Sequence, residues 1–201
     1  MKTQLKFLDK NPEVDLCGTS ISIIDENDRF LELVDSLYKD NKFKVDSPFI
    51  FGVDKVPPDV TQIYGDKLEE FLTDIRLYDT HVILITSFIV KVLEPGESID
   101  RTDTLPSHYT ATHYIEVPPG SSSDVFHHPA KALVSAFAPA ALDEWQPAAG
   151  VYVNQGDVII HPSFMEVSSP VAKGKRVTMT LTFVIRENEQ GRESNTEKSA
   201  A

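Results

Sequence analysis

One cysteine, Cys17, stands in 201 residues. Its isolation excludes an internal disulfide framework and any zinc site built mainly from thiolates, and it fits a reducing compartment. No base is tied to Cys17 by a recognisable motif, so it reads as an inert thiol. Basic residues are scarce as well: 19 Lys and Arg face 31 Asp and Glu, a formal net charge of -12. Phosphate contacts need Lys and Arg, so no nucleic-acid partner is expected. No apolar run is long enough to span a bilayer, and no membrane partner is expected. The longest run, Val82 to Leu93, is interrupted by Thr86, Ser87 and Lys91. Met1 to Lys6 leads into polar sequence rather than an apolar core and cleavage site, so no signal peptide is expected. A phosphate-cradling glycine loop and a Gly-x-Ser-x-Gly elbow are both missing.

What is present suits one domain with a real core: 41% of the residues are hydrophobic and 25% charged. Ile21 to Ile24 is β-branched and reads as a strand. Asp25 to Asp28 supply helix-start residues, and Phe30, Leu33, Val34, Leu37 and Tyr38 form an amphipathic stripe. Asp46 to Pro58 reads as a loop, with Pro48, Pro57, Pro58 and Gly52 in it. A second helix is expected from about Pro58 to Leu77, with Leu68, Phe71, Leu72 and Ile75 on its apolar face.

From Val82 the pattern changes to strands: Val82 to Leu93, Ser107 to Val117, Asp124 to His128, Val151 to Val153, Val158 to Ile160, and a long alternating strand from Arg176. Ala130 to Gly150, which holds Trp145, reads as an Ala- and Pro-rich excursion. Residues 187–201 form a polar C-terminal tail without an apolar residue larger than Ala. The expected organisation is one domain, 1–186, with a helical part at 1–80 and a β-barrel core at 81–186. The expected class is mainly β (α+β): a double-stranded β-helix or jelly roll flanked by two N-terminal helices.

Within the second half, Ser87-Phe88-Ile89-Val90-Lys91-Val92 is followed by a Pro95-Gly96 turn and by the strand Ser107 to Pro118. Val125-Phe126-His127-His128-Pro129 comes next, then Gly156-Asp157-Val158-Ile159-Ile160-His161-Pro162-Ser163, then Arg176 at the head of the last strand. In order and spacing these pieces, from about Ser87 to Phe183, resemble the phage and bacterial branch of the Fe(II)/2-oxoglutarate dioxygenases, whose fold is a double-stranded β-helix. The resemblance implies that Arg176 binds the far carboxylate of 2-oxoglutarate. It also implies a His-x-His or His-x-Asp pair and a distal histidine as iron ligands, three protein groups on one face of the metal. Counting back from Ser107 without a gap puts the pair at Thr102 and Thr104, with Asp103 between them. The distal position falls at Val167. No His-x-Asp or His-x-His occurs anywhere in the chain.

Strand alternation puts Arg176, Thr178, Thr180 and Thr182 on one face and Val177, Met179, Leu181 and Phe183 on the other. The apolar face is core; the Arg/Thr face lines a barrel interior or meets solvent, and Arg176 there binds an anion or forms an ion pair. A rearranged metal site would draw on His113, one of His127 and His128, and Asp103 or Glu166. His108 and His113 lie on opposite strand faces.

Because the ligand positions carry Thr102, Thr104 and Val167, the expected function is a non-catalytic, structural or binding module without a cofactor. The family points to a phage virion component, such as a head-decoration, neck or tail protein. Its partners would be protein, either further copies of itself or other virion proteins, in the host cytoplasm or the virion. The alternative is an Fe(II)/2-oxoglutarate-dependent hydroxylase with a displaced triad. A third reading is a small-molecule binder using the barrel mouth.

Overall fold

The computed structural model describes residues 20–25, 27–41, 48–53, 56–102, 104, 106–119, 124–127 and 148–188. Cys17, Asp103, His128, Trp145 and the tail beyond 188 lie outside the described residues.

The described chain begins with strand β1 (Ser20–Ile23), helix α1 (Asn27–Asn41), strand β2 (Phe49–Gly52) and helix α2 (Pro58–Asp74). Then come β3 (His81–Leu93), β4 (Ile99–Thr102), β5 (Tyr109–Glu116), β6 (Asp124–His127), β7 (Ala148–Val151), β8 (Asp157–Pro162), β9 (Glu166–Ser169) and β10 (Arg176–Glu187). The larger sheet has the order β1-β8-β5-β10-β3-β2, and the smaller β4-β9-β6-β7. All recorded pairings are antiparallel. This is the expected jelly roll. Three strands are additional to those expected, β4 (Ile99–Thr102) among them, and β7 lies at Ala148–Val151 rather than Val151–Val153. The Asp46 to Pro58 stretch contains β2, which adds to β3 as an edge strand. The segment after Ser163 contains β9, which joins β4 and β6. Four-residue strands are too short to show a period of their own; pairing supplies them.

The helices cover one face of the larger sheet. In α2 the buried residues are Val60, Tyr64, Leu68, Phe71 and Leu72, one stripe at helical spacing. Pro58 suits the first turn, where a missing N–H costs nothing. The helix ends where Arg76 takes φ 62 and the Leu77 N–H donates to Leu72 O at 2.9 Å. In α1, Phe30 and Val34 are buried. Asn27 Nδ2 donates to Ile115 O on β5 at 2.7 Å, tying the start of α1 to the sheet. The main core holds Phe30, Val34, Val60, Tyr64, Leu68 and Phe71 together with Val90, Val92, Ala111, Ile115, Met179, Leu181 and Phe183. A second cluster, Tyr114, Phe126, Val151, Ile159 and Met165, fills part of the space between the sheets.

A β-bulge in β3 decides which side chains reach that inter-sheet space. Ser87 pairs with Thr182 and Ile85 with Phe183, so Thr86 is the extra residue. Its hydroxyl donates to Thr182 O at 3.0 Å and lies 2.7 Å from Thr182 Oγ1. Before the bulge the odd-numbered Ile83 and Ile85 pack on the helix-side core; after it the even-numbered Phe88, Val90 and Val92 do. Lys91 therefore turns to the other face. Among the described residues no helix is long and apolar enough to cross a membrane.

Gly156 closes the turn before β8 at φ 88, and a Cβ there would stand 2.9 Å from Ile24 O. Only glycine accepts both the left-handed backbone and that approach. Gly156→Ala is expected to cost about 1–3 kcal/mol, read as a lower urea midpoint with an unchanged slope.

Candidate functional site

The inter-sheet face of the larger sheet is polar where the helix-side face is apolar. Arg176, Thr178 and Thr180 from β10, Thr110 and Thr112 from β5 and Lys91 from β3 project from it. With Thr102, Thr104, Asp124, His161, Met165 and Val167, most of these line a cavity of about 20 Å3. That volume holds a water-sized group. Hydroxyls bond to hydroxyls around it: Thr104 to Thr110, Thr110 to Ser163 at 2.8 Å, and Thr112 to Thr180 at 3.4 Å.

Arg176 is buried with a carboxylate. Its Nη2 lies 2.8 Å from Asp124 Oδ1, with side chains 3% and 5% exposed. The Tyr114 hydroxyl donates to Asp124 Oδ2 at 2.5 Å, and the Arg176 guanidinium carbon sits 5.3 Å from the centre of the Tyr114 ring. Burial, then the Asp124 charge, pushes the Tyr114 hydroxyl well above its usual range. Tyr114 is thus a donor to a carboxylate that both partners hold. Lys91 is the second cation in the chamber. Burial lowers its pKa; Asp124 opposes that shift and Arg176 adds to it.

His161 also lines the cavity. Its Nδ1 lies 3.0 Å from Pro162 O. A carbonyl only accepts, so Nδ1 carries the proton and Nε2 keeps its lone pair. Burial lowers the His161 pKa to about 4, so the ring is neutral at pH 7.

The residues named from sequence separate into two groups. Thr102, Thr104, Val167 and Arg176 converge on the space between the sheets: Thr102 pairs with Val167 across β4 and β9, and Arg176 is buried there. His113 does not join them. It faces the helices, with Nδ1 3.0 Å from the Tyr64 hydroxyl and its ring 4.6 Å from Phe30. His127 alternates away from Phe126, which packs in the inter-sheet cluster, and its Nε2 meets Ser168 Oγ at 2.8 Å. Glu166 is exposed, 3.8 Å from Arg101. The structure brings no pair of His113, His127 and Glu166 into the chamber. Lys91, Asp124 and Tyr114 were missed from sequence. The available signal was Lys91, a charge between Val90 and Val92 in the strand.

No family model matches this chain, and no curated protein does. Solved structures do. A non-heme alpha-ketoglutarate-dependent carbocyclase, SnoK from nogalamycin biosynthesis, superposes with TM-score 0.61 at 15% identity, covering 97% of this chain and 90% of that one. A 2OG-Fe(II) oxygenase family oxidoreductase from Burkholderia pseudomallei gives 0.54 at 12%, covering 90% and 89%. The collagen prolyl hydroxylase of Paramecium bursaria Chlorella virus-1, solved with 2OG, gives 0.54 at 13%, covering 81% and 94%. The chain has the fold of the Fe(II)/2-oxoglutarate-dependent oxygenases.

That finding corrects the expected function. A non-catalytic module and virion component was inferred from missing ligands. The structures that share this oxygenase fold are named as enzymes, the viral one included, and none of the three is named as a virion part. The residues at the implied iron positions still do not fit the metal. Thr102, Thr104 and Val167 offer two hydroxyls and an isopropyl group where Fe(II) needs imidazole or carboxylate. Among the described residues no three His, Cys, Asp or Glu converge as a metal site.

Two outcomes follow for the purified protein. Asp124→Asn removes the carboxylate charge beside the buried Arg176 and is expected to cost about 3–5 kcal/mol, measured by urea unfolding. The second is acid sensitivity. Burial lowers His113 to about 3 and His161 to about 4, against an ordinary 6.5. Folded-state pKa values below the unfolded ones mean that the unfolded chain binds the extra protons. The stabilisation is fully present above about pH 6.5 and is lost as the pH falls towards 4 and then 3. Urea midpoints between pH 7.5 and 4.5 are expected to fall, and less steeply in His161→Asn.

Proposed function

We propose that this chain is an oxygenase of the 2-oxoglutarate-dependent class, acting at the chamber between the two sheets. The observation that carries the proposal is the fold match along nearly the whole of both chains, 97% of this one and 90% of the carbocyclase. The chamber supports it chemically. It gathers two cations, a neutral imidazole and a ring of threonine hydroxyls in a space shielded by both sheets. Groups of this kind bind and orient a small anionic or carbonyl ligand and keep bulk water out.

The proposal places no metal on Thr102, Thr104 or Val167. Within the described residues, His161 and Asp124 are the imidazole and the carboxylate that border the chamber, and Asp124 is engaged by Arg176 and Tyr114. A complete ligand set would have to draw on residues outside the described ones, where sequence names Asp103 and His128.

The test is 2-oxoglutarate turnover without an added prime substrate. Protein reconstituted anaerobically with Fe(II) and then exposed to oxygen is expected to bind iron stoichiometrically and to release succinate above a protein-free control. Protein that takes up no iron and forms no succinate would sink the reading.

A further inference from the structure

Strand β3 is longer than its outer neighbour. β2 pairs with it only from Ile89 to Val92, and the Val53 N–H, donating to Phe88 O at 2.9 Å, extends that contact by one residue. Among the described residues no strand flanks the β3 segment from His81 to Ile85 on that side. The direction of its backbone groups follows from the register. The Asn188 N–H donates to Thr80 O at 2.8 Å, and Glu187 stands opposite His81. Up to the bulge, even-numbered residues therefore turn N–H and C=O towards β10, while Ile83 and Ile85 turn theirs outward.

Sheet edges are ordinarily guarded by charges, by proline or by a bulge that turns the strand away. His81-Val82-Ile83-Leu84-Ile85 holds no Lys, Arg, Asp, Glu or Pro, and the bulge at Thr86 lies beyond it. The segment is apolar on both faces. Ile83 and Ile85 pack on the helix-side core. Val82 and Leu84, on the other face, remain 39% and 43% exposed, with the half-buried Val184 opposite Leu84.

We propose that this edge pairs with the same edge of a second copy of the chain, joining two larger sheets into one across a twofold axis. Charge selects that occupant. At a formal net charge of -12, two copies repel one another over most of their surface. No Asp or Glu occurs from His81 to Leu93, so two such edges meet without opposed carboxylates. Symmetry suits it as well. With the axis at Ile83, that residue exchanges N–H and C=O bonds with Ile83 of the partner subunit. Val82 then lies opposite Leu84 of the partner subunit, which covers the exposed apolar pair. The His81 C=O accepts from Ile85 of the partner subunit; its own N–H is already bonded to Leu77 O at 2.9 Å. None of these residues lines the chamber, so the assembly and the oxygenase reading stand or fall separately.

Sedimentation velocity of the full chain between about 1 and 100 µM, with amide hydrogen exchange at both ends of that range, tests the pairing. The expected mass at the upper end is twice 22.4 kDa, and exchange at Ile83 and Ile85 is expected to slow as the dimer forms. Leu84→Lys is expected to weaken association at least about tenfold without moving the urea midpoint of the monomer. Val82→Lys serves as a second variant on the same face. Val171→Lys, at a valine 58% exposed outside β3, is expected to leave the dimer intact. A chain that stays monomeric throughout overturns the proposal, as does a dimer that survives both β3 lysine variants or leaves the Ile83 and Ile85 amides unprotected.

Discussion

Strand β10 lies at the centre of the larger sheet, paired along its length with β3 on one side and with β5 on the other. Its alternation sends Val177, Met179, Leu181 and Phe183 into the helix-side core and Arg176, Thr178 and Thr180 into the chamber. The side-chain period of a strand is two, so a one-residue slip would exchange these sets. Burying four apolar side chains, each about 1.5–3 kcal/mol, holds the register. The helices, the bulge in β3 and the polar chamber all depend on that register. Where Thr86 is inserted, β3 changes which parity faces the core. Without that extra residue, Lys91 would point into the apolar layer under α2, where an ammonium is not tolerated.

The chamber's chemistry follows from how its charges are shared. A buried arginine is stable only with a partner, and Asp124 on the opposite sheet supplies one. The pair joins the two sheets, with Tyr114 bonded to the same carboxylate. Arg176 is thereby committed to a structural pair, and Lys91 lines the same cavity as a second cation.

Much of the architecture was legible. The stripes of α1 and α2 have clear helical spacing, and β3, β5 and β10 are long enough for alternation to show. The jelly-roll class and the family likeness came from the ordered pieces between Ser87 and Phe183. Counting along those pieces also led to Thr102, Thr104 and Val167, which line one cavity. The short strands β2, β4 and β9 were not legible, because four residues carry too little pattern and form only against a partner. The functional expectation failed for a different reason. Missing ligands at three positions point towards a non-catalytic module only if fold and ligand set are read as one observation, and they are separate.

The sequence by itself determined the helix faces, the parity of β10 and the chemistry missing from Thr102, Thr104 and Val167, since these are local properties of residue type and spacing. Only the tertiary structure decided that His113 belongs to the helix-side core, that Asp124 neutralises Arg176, and that Lys91 enters the chamber. Each of those depends on which strands pair and where a bulge falls. The Tyr64–His113, Asp124–Arg176 and Lys91–Thr178 contacts join residues 49, 52 and 87 positions apart, and such pairings are set by the tertiary arrangement, which no local pattern encodes.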